Sequence, residues 1–201
     1  MRVQLESLEQ MRTFAAVLAD HLRAGDLLIL TGNLGAGKTT FTQSLGKALD
    51  VAGRITSPTF VIAREHPSRS GGPALVHVDA YRLADGEELE DLDLDSELDE
   101  SITVVEWGAG LAEQLSSDHL DITITPVWDE AAGDDDSVGV DDEDEVEDER
   151  RTVDLVGRGD AWIDRMPQVV AAVSALAGVR VDDPASADLS AEDSANEGDE
   201  S

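Results

Sequence analysis

The chain has 201 residues, with 45 acidic and 14 basic side chains and no cysteine. Without cysteine, neither a disulfide framework nor a thiolate zinc site can form. The formal net charge of −31 argues against tight direct binding of RNA or DNA, because that affinity comes mainly from Lys and Arg. The first residues carry an acid where a signal peptide needs its apolar stretch, and no apolar run is long enough to span a membrane. We therefore expect a cytoplasmic protein with no membrane partner.

The acidic residues are concentrated in two segments. Residues 129–149 contain thirteen acids and no base, and residues 182–201 contain eight acids and no base. Blocks of like charge repel one another and carry too little apolar area to offset the entropy lost on ordering. The composition predicts one domain over 1–178 with a disordered acidic insertion at 129–149, followed by a disordered acidic tail at 179–201. The alternative is that an acidic segment mimics nucleic acid or attracts a basic partner.

Hydrophobic periodicity predicts alternating helices and strands along the domain. The predicted elements are, in chain order, a helix at 7–22 capped by Ser7 and ended by Gly25, a strand at 27–30, a helix at 39–49, a strand-like segment at 54–64, a strand at 75–79, a helix at 87–94, a strand at 102–105, a hairpin of 120–125 with 152–156, and a last helix after Asp160. The apolar residues available for burial on that last helix are Ile163, Met166, Val169, Val170, Val173 and Leu176. This order predicts an α/β fold with some antiparallel strands.

A glycine-rich loop directly follows the apolar run at 27–30. It reads Gly-Asn-Leu-Gly-Ala-Gly-Lys-Thr-Thr and completes the G-x-x-x-x-G-K-[ST] pattern of a phosphate loop. Its glycines let backbone N–H groups face phosphate oxygens, Lys38 supplies a charge for the β- and γ-phosphates, and Thr39 supplies a hydroxyl for Mg²⁺. The residues predicted to bind a nucleoside triphosphate are Gly32, Asn33, Leu34, Gly35, Ala36, Gly37, Lys38, Thr39 and Thr40.

Two acids stand where predicted strands end. Asp79 closes the strand at 75–79, and Glu106 directly follows the strand at 102–105. Ligands of open α/β sheets lie beyond the carboxyl ends of the strands, so either acid can reach a metal ion or an attacking water. Each can equally be a solvated carboxylate at a strand end.

Three further residues, Thr59, Trp107 and Arg82, are candidates on weaker patterns. Thr59 lies in Thr-Ser-Pro-Thr-Phe, which is either a switch that senses a γ-phosphate or a proline-bent edge strand. Trp107 either stacks on the ligand or packs in the fold. Arg82 belongs to a locally basic stretch that can face an anionic ligand or partner. His77, which alternates with apolar neighbours, is by itself typical of a buried core residue.

Four motifs in order resemble the TsaE family, the bacterial ATPases of tRNA threonylcarbamoyladenosine synthesis. They are the phosphate loop, Thr-Ser-Pro-Thr-Phe at 56–60, His-Val-Asp-Ala-Tyr-Arg-Leu at 77–83 and Val-Glu-Trp at 105–107. The resemblance covers about residues 5–128 and, more weakly, 150–165, where Gly157-Arg158-Gly159 and Trp162 look like the family's closing segment. The early threonine that is usual in the family's first helix is replaced here by Gln10-Met11-Arg12-Thr13, so no residue is assigned to the adenine.

The resemblance implies a modified P-loop NTPase fold, with a mixed sheet flanked by helices, that binds ATP and Mg²⁺. By matched position, Thr39 and Glu106 hold Mg²⁺, residues 35–40 bind phosphates, and Asp79 activates water. It also implies slow, partner-dependent hydrolysis alongside the TsaB and TsaD subunits, which carry the transfer chemistry. The acidic charge agrees with a subunit that meets tRNA only indirectly.

Three other functions are alternatives to the ATPase hypothesis. A GTPase switch needs Asn-Lys-x-Asp to recognise guanine, and neither Lys38 nor Lys47 has that context. A small-molecule kinase needs the same loop, Mg²⁺ and an arginine such as Arg82. A non-hydrolysing module would bind ATP only to control its interactions.

Overall fold

The computed structural model describes residues 1–57, 63–83, 85–90, 92, 94, 98–127 and 149–182. The strands in these ranges are β1 (Arg2–Leu5), β2 (Leu27–Thr31), β3 (Ala63–His66), β4 (Ala74–Asp79), β5 (Ser101–Glu106), β6 (His119–Pro126), β7 (Arg151–Arg158) and β8 (Arg180–Asp182). The helices are α1 (Leu8–Ala19), α2 (Lys38–Ala48), α3 (Gly86–Glu90), α4 (Asp160–Ile163) and α5 (Met166–Ser174). Within the same ranges, no helix combines the length and the apolar character needed to cross a membrane.

The strands form one mixed sheet in the order β3-β4-β5-β2-β6-β7-β1-β8. The four strands β4, β5, β2 and β6 run parallel, and the strands on either side of them pair antiparallel. The central strand β2 is apolar at every position from Leu27 to Leu30, and all four side chains are buried. A continuous apolar run is what a parallel strand covered on both faces requires.

The core lies on both faces of the sheet, and β2 contributes to each in turn. Leu28 and Leu30 pack in the cluster beneath α1, α2 and α5, where the rings of Phe14 and Phe41 lie 6.1 Å apart. Leu27 and Ile29 pack in the opposite cluster, which includes Leu89 of α3. Successive side chains of a strand point to opposite faces, so β2 is held between two apolar layers with its carboxyl end exposed to the loop that follows.

Several predicted elements are confirmed. The strands at 27–30, 75–79 and 102–105 and the helix at 39–49 occur as β2, β4, β5 and α2. β6 and β7 form the predicted antiparallel pair, with Ile122 opposite Leu155. Helix α3 covers part of the predicted segment at 87–94. Of the predicted acidic insertion at 129–149, residues 129–148 lie outside the described residues, as does the tail beyond 182.

The first helix begins as predicted but ends three residues before the predicted Leu22. The Ser7 hydroxyl accepts a hydrogen bond from the backbone N–H of Gln10 at 3.3 Å, which caps the helix. The helix ends at Ala19, and the following turns bring the N–H of Gly25 to the carbonyl of Ser101 at 2.9 Å. That bond aligns the chain with β5 before β2 begins.

The strand-like prediction at 54–64 is wrong for its first residues. Residues 54–57 are not in a strand, residues 58–62 lie outside the described residues, and β3 covers the end of the predicted segment from Ala63. Ile55 is held by helix α2, because the Gln43 side chain donates to the Ile55 carbonyl at 3.0 Å. Ile55 is buried directly against Gly46, where an added Cβ would lie 2.2 Å from the Ile55 side chain.

Both ends of the domain carry strands that the sequence pattern misses. Val3 of β1 lies opposite Val153 of β7 and opposite Val181 of β8. Residues 180–182 are therefore part of the sheet and not of the predicted tail at 179–201. These strands are only four and three residues long, which leaves too few positions for a period of two to be recognised.

The single predicted C-terminal helix is two short helices. Arg165 lies between them and forms a buried ion pair with Asp26, while Pro167 stands in the first turn of α5, where proline is favoured. Because of this break, the buried face of α4 is not continuous with the buried face of α5. Ile163 is therefore 66% exposed, while its neighbour Trp162 is fully buried. The predicted burial of Ile163 is wrong.

Substitutions at these two neighbours should separate buried from exposed positions. We expect Trp162→Ala to lower the free energy of unfolding by about 3–5 kcal/mol, as for other large-to-small core changes. Ile163→Ala should change the free energy of unfolding by less than about 0.5 kcal/mol, as is usual for surface sites. Denaturant unfolding followed by circular dichroism measures both. Similar losses for the two variants would contradict this packing.

Candidate functional site

The phosphate loop at residues 32–37 joins the carboxyl end of β2 to the N-terminus of α2. Gly32, Gly35 and Gly37 have φ angles of +151°, +78° and +103°, a region that other residues rarely adopt. Gly37 is the N-cap of α2, so the free N–H groups and positive dipole end of the helix face the loop. The loop therefore has the backbone of an anion-binding site.

Gly32 also lies where β6 passes closest to the loop. A Cβ at Gly32 would meet the Ile124 carbonyl oxygen at 2.4 Å, whereas a Cβ at Gly35 would meet nothing within 4 Å. Alanine at either position carries the strain of a positive φ, but only Gly32→Ala adds this clash. We expect Gly32→Ala to lower the free energy of unfolding by about 1–3 kcal/mol more than Gly35→Ala, the usual cost of overpacking. Thermal or denaturant unfolding tests this, and equal losses would contradict the close approach.

Lys38 is 5% exposed and folds back over the loop. Its ammonium donates to the carbonyl oxygens of Gly32 at 2.7 Å and Asn33 at 3.0 Å. The ammonium also lies 3.6 Å from the centroid of the Trp107 ring, at cation–π distance. Burial lowers the pKa of Lys38, and the nearby carboxylates of Glu106 and Asp79 oppose that shift.

Glu106 lies beside the loop at the end of β5 and is 2% exposed. One carboxylate oxygen accepts a hydrogen bond from the Thr39 hydroxyl at 3.0 Å, and the other lies 2.8 Å from Nε2 of His77. The Thr42 hydroxyl is 3.5 Å from the second oxygen. The structure thus brings together the two residues predicted to hold a metal ion, Thr39 and Glu106.

The sequence pattern does not assign a role to His77, but the structure places it at the site. His77 is 1% exposed, as a core residue would be, and its side chain meets the Glu106 carboxylate. Its position is two residues before Asp79 on β4, and alternate residues of a strand share a face. This spacing of two residues from Asp79, a candidate acid, was the sequence signal that could have identified His77.

Asp79 ends β4 directly opposite Glu106 in the parallel pairing with β5. One carboxylate oxygen accepts from the Ser57 hydroxyl at 3.1 Å, and the other accepts from the Tyr81 N–H at 3.1 Å. Asp79 is only partly buried, unlike Glu106. The two acids share one edge of the sheet and differ in solvent access.

Trp107 follows Glu106 with a φ of +62°, which is unusual for a bulky residue. Its ring packs against Tyr81, with centroids 5.1 Å apart, and over the Lys38 ammonium. The Trp107 ring thus makes packing contacts that reach the loop, and stacking of this ring on a ligand stays a prediction. Arg82 is exposed on the turn after β4. Thr59, the predicted switch residue, lies outside the described residues.

A concavity of about 190 Å³ adjoins the loop, and part of its wall is formed by residues that were not predicted. It is lined by Leu8 and Met11 of α1, the loop itself, Glu149 and Arg151. The Arg151 guanidinium donates to the Ala36 carbonyl at 3.1 Å, and the Glu149 carboxylate accepts from the Leu8 N–H at 3.0 Å. Arg151 comes from β7, more than a hundred residues after the loop, so no local motif could have found it.

The residues present fit a magnesium ion bound with a phosphate ligand. Thr39 and Glu106 offer oxygen donors 3.0 Å apart, the type of ligand that Mg²⁺ prefers. Within the described parts of the chain, no group of three or more His, Cys, Asp or Glu side chains is placed to hold a metal. Few protein ligands are what Mg²⁺ accepts when phosphates and water complete its shell.

Comparison with known proteins gives one family. The sequence model described as "Threonylcarbamoyl adenosine biosynthesis protein TsaE" matches residues 5–131. A Streptomyces coelicolor protein named tRNA threonylcarbamoyladenosine biosynthesis protein TsaE is 51% identical over 169 residues, which cover 84% of this chain and 100% of that protein. A protein of the same name from Bacillus subtilis is 39% identical over 128 residues, covering 63% of this chain and 75% of that protein.

A solved structure agrees at the level of the fold. The crystal structure of Bacillus subtilis YdiB has a TM-score of 0.61 at 24% identity and covers 87% of this chain and 93% of its own. This similarity confirms the predicted α/β fold with a mixed sheet flanked by helices. Because the family match spans the loop, Asp79, Glu106 and Trp107, and the Streptomyces coelicolor protein aligns over its whole length, the chain belongs to the TsaE family.

Proposed function

We propose that this chain binds ATP with Mg²⁺ and hydrolyses it slowly as a subunit of the threonylcarbamoyladenosine system of tRNA. The observation that carries the proposal is the contact at 3.0 Å between Thr39 of the phosphate loop and the buried carboxylate of Glu106. A glycine loop alone binds phosphate, but hydrolysis needs a metal-side carboxylate and a group that places water. Family membership supports the tRNA context.

The residues have distinct proposed roles. The backbone N–H groups of the loop and the N-terminus of α2 bind the phosphates, and Lys38 supplies a positive charge beside them. Thr39 and Glu106 would hold Mg²⁺, which would neutralise charge on the phosphate oxygens. His77 contacts Glu106 from β4, and Asp79 is the acid placed to orient or activate water.

The nucleoside end is proposed to occupy the concavity beside Arg151. Leu8 and Met11 offer apolar surface there, and the loop residues Gly35 to Gly37 form its floor. Arg151 supplies positive charge at the rim while its hydrogen bond to the Ala36 carbonyl steadies the loop. These contacts stand in place of the early threonine that is usual in the family's first helix.

In the proposed complex, TsaB and TsaD carry the transfer chemistry on adenosine 37 of tRNAs that read codons beginning with A. This chain meets tRNA only through those subunits. Its net charge of −31 supports that division, because a strongly acidic surface repels a phosphate backbone. ATP turnover would then be slow in the isolated chain and faster in the complex.

The test is phosphate release from ATP and from GTP, by the chain alone and with TsaB and TsaD. We expect ATP hydrolysis that the partners accelerate and little use of GTP. Transfer of phosphate to a metabolite without any partner would favour a small-molecule kinase instead. An ATPase rate that the partners leave unchanged would contradict the complex.

A further inference from the structure

A basic groove runs across the face formed by α1, α2 and the segment that follows α2. It consists of two adjoining concavities of about 870 and 400 Å³, which share Gln43 and Lys47 in their walls. Four of its lining side chains are cationic, namely Arg12, Lys47, Arg54 and Arg69. Among the residues that the structure describes, no acidic side chain lines either part.

The charges of the basic groove are available to a ligand. Within the described residues, Arg12, Lys47 and Arg54 are exposed and form no ion pair. Arg69 lies 3.9 Å from the Asp50 carboxylate, and both side chains are more than half exposed, so that pair is weak. The chain as a whole has a net charge of −31, whereas the described lining of this groove carries four cations and no acid. The local charge of the groove is therefore opposite in sign to that of the chain. The groove fits a polyanion.

The chain itself supplies a polyanion whose return point lies beside the groove. Residues 129–148 contain twelve acids and no base, and their C-terminal end joins Glu149. The Glu149 carboxylate accepts from the Leu8 N–H at 3.0 Å, and Leu8 lines the basic groove next to Arg12. The acidic segment therefore re-enters the described structure at the edge of this groove.

The acidic segment is also long enough to follow the groove and return. Twenty-one residues separate Val127 from Glu149. At about 3.3–3.6 Å per residue, half of them reach roughly 35 Å. Helix α1, along which the groove runs, has twelve residues, or about 18 Å at about 1.5 Å per residue.

We propose that the basic groove binds the acidic segment 129–148 of the same chain through ion pairs with Arg12, Lys47, Arg54 and Arg69. A tether of this length holds the segment at an effective concentration on the order of millimolar. The contact at Glu149 favours this segment over the acidic tail 183–201, and the net charge favours it over RNA. An anionic partner of this face must displace the segment. The proposal does not depend on ATP hydrolysis.

Carbodiimide coupling of the intact chain tests this directly, because the chain has only two lysines. Lys38 is buried in the phosphate loop, so Lys47 is the accessible side-chain amine. The reagent joins an amine and a carboxyl group, with loss of water, only where they are already in contact. We expect peptide mapping to find an amide between Lys47 and an acid of 129–148. A mixture of ¹⁵N-labelled and unlabelled protein should show that both ends belong to one chain.

Matched variants make the result specific to the groove. Lys47→Arg keeps the charge and removes the reactive amine, so the cross-link should disappear. Combined Arg54→Glu and Arg69→Glu substitutions should lower its yield at least fivefold, while Arg64→Glu, which lies on β3 outside the groove, should leave it unchanged. Raising the salt to about 1 M, where the Debye length falls to about 3 Å, should lower the yield about tenfold.

The other possible occupants give different outcomes. Lys47 coupled only to 183–201, only to a second chain, or only to nearby Asp50 would overturn the proposal. A cross-link yield that is unchanged by the combined Arg54→Glu and Arg69→Glu substitutions would also overturn it. The proposal would fail in favour of a nucleic-acid surface if the intact chain bound tRNA at physiological salt through these same arginines with no Lys47 cross-link.

Discussion

Lys38→Ala should reduce ATP turnover by about 10²–10³-fold, the usual effect of removing one positioned donor from a developing charge. The ammonium of Lys38 is held within the loop by the carbonyls of Gly32 and Asn33, so the substitution removes a charge that the loop itself positions. Steady-state phosphate release measures the loss, and titration with a fluorescent ATP analogue separates binding from turnover.

Lys47→Ala is the matched control for this substitution. It removes the other lysine of the chain, which is exposed on α2 and lies outside the phosphate loop. We expect its ATP turnover to stay within about twofold of the wild type, as for a surface change. Unchanged turnover in Lys38→Ala would show that the loop is not the hydrolytic site.

Glu106→Gln should reduce magnesium-dependent turnover by at least about 10²-fold, because the amide lacks the charge that holds the ion. The glutamine oxygen can still accept from Thr39, so the fold and magnesium-free nucleotide binding should survive. Glu65→Gln makes the same chemical change at an exposed position on β3. It is the control, and it should leave turnover unchanged.

Glu106→Ala separates the catalytic role of this residue from its structural role. Truncation leaves the buried side chains of His77 and Thr42 without the carboxylate they meet. We expect a loss of about 1–3 kcal/mol in the free energy of unfolding, in addition to the loss of turnover. Denaturant unfolding of the two Glu106 variants measures the difference. If both kept wild-type hydrolysis, Glu106 would have no role in binding the metal.

The sequence could predict those parts of the site that short local motifs identify. The phosphate loop follows its strand directly, and Asp79 and Glu106 stand at the ends of predicted strands. These residues can therefore be recognised from short stretches of sequence, without knowing the order of the strands in the sheet. The contact between His77 and Glu106 depends on the pairing of β4 with β5, and the contact of Arg151 with Ala36 depends on the position of β7. Those are tertiary facts that no local spacing encodes.

The errors in the fold have similarly specific causes. Helical periodicity continues through Ile163, but the buried pair of Arg165 with Asp26 interrupts the helix and resets its phase. Composition assigned Arg180 and Val181 to the tail because acids follow them, whereas pairing with Gln4 and Val3 places them in the sheet. The prediction that the two acidic segments are disordered concerns residues outside those described and stays a prediction.

The most direct test of the proposed hydrolytic role is reconstitution with TsaB and TsaD on unmodified tRNA, comparing wild-type chain with Glu106→Gln. The amount of threonylcarbamoyladenosine formed over many turnovers is the measurement. We predict that the wild-type chain supports repeated rounds of modification and that the variant, although folded and able to bind nucleotide, does not. Equal yields from the two proteins would contradict a requirement for ATP hydrolysis at Glu106.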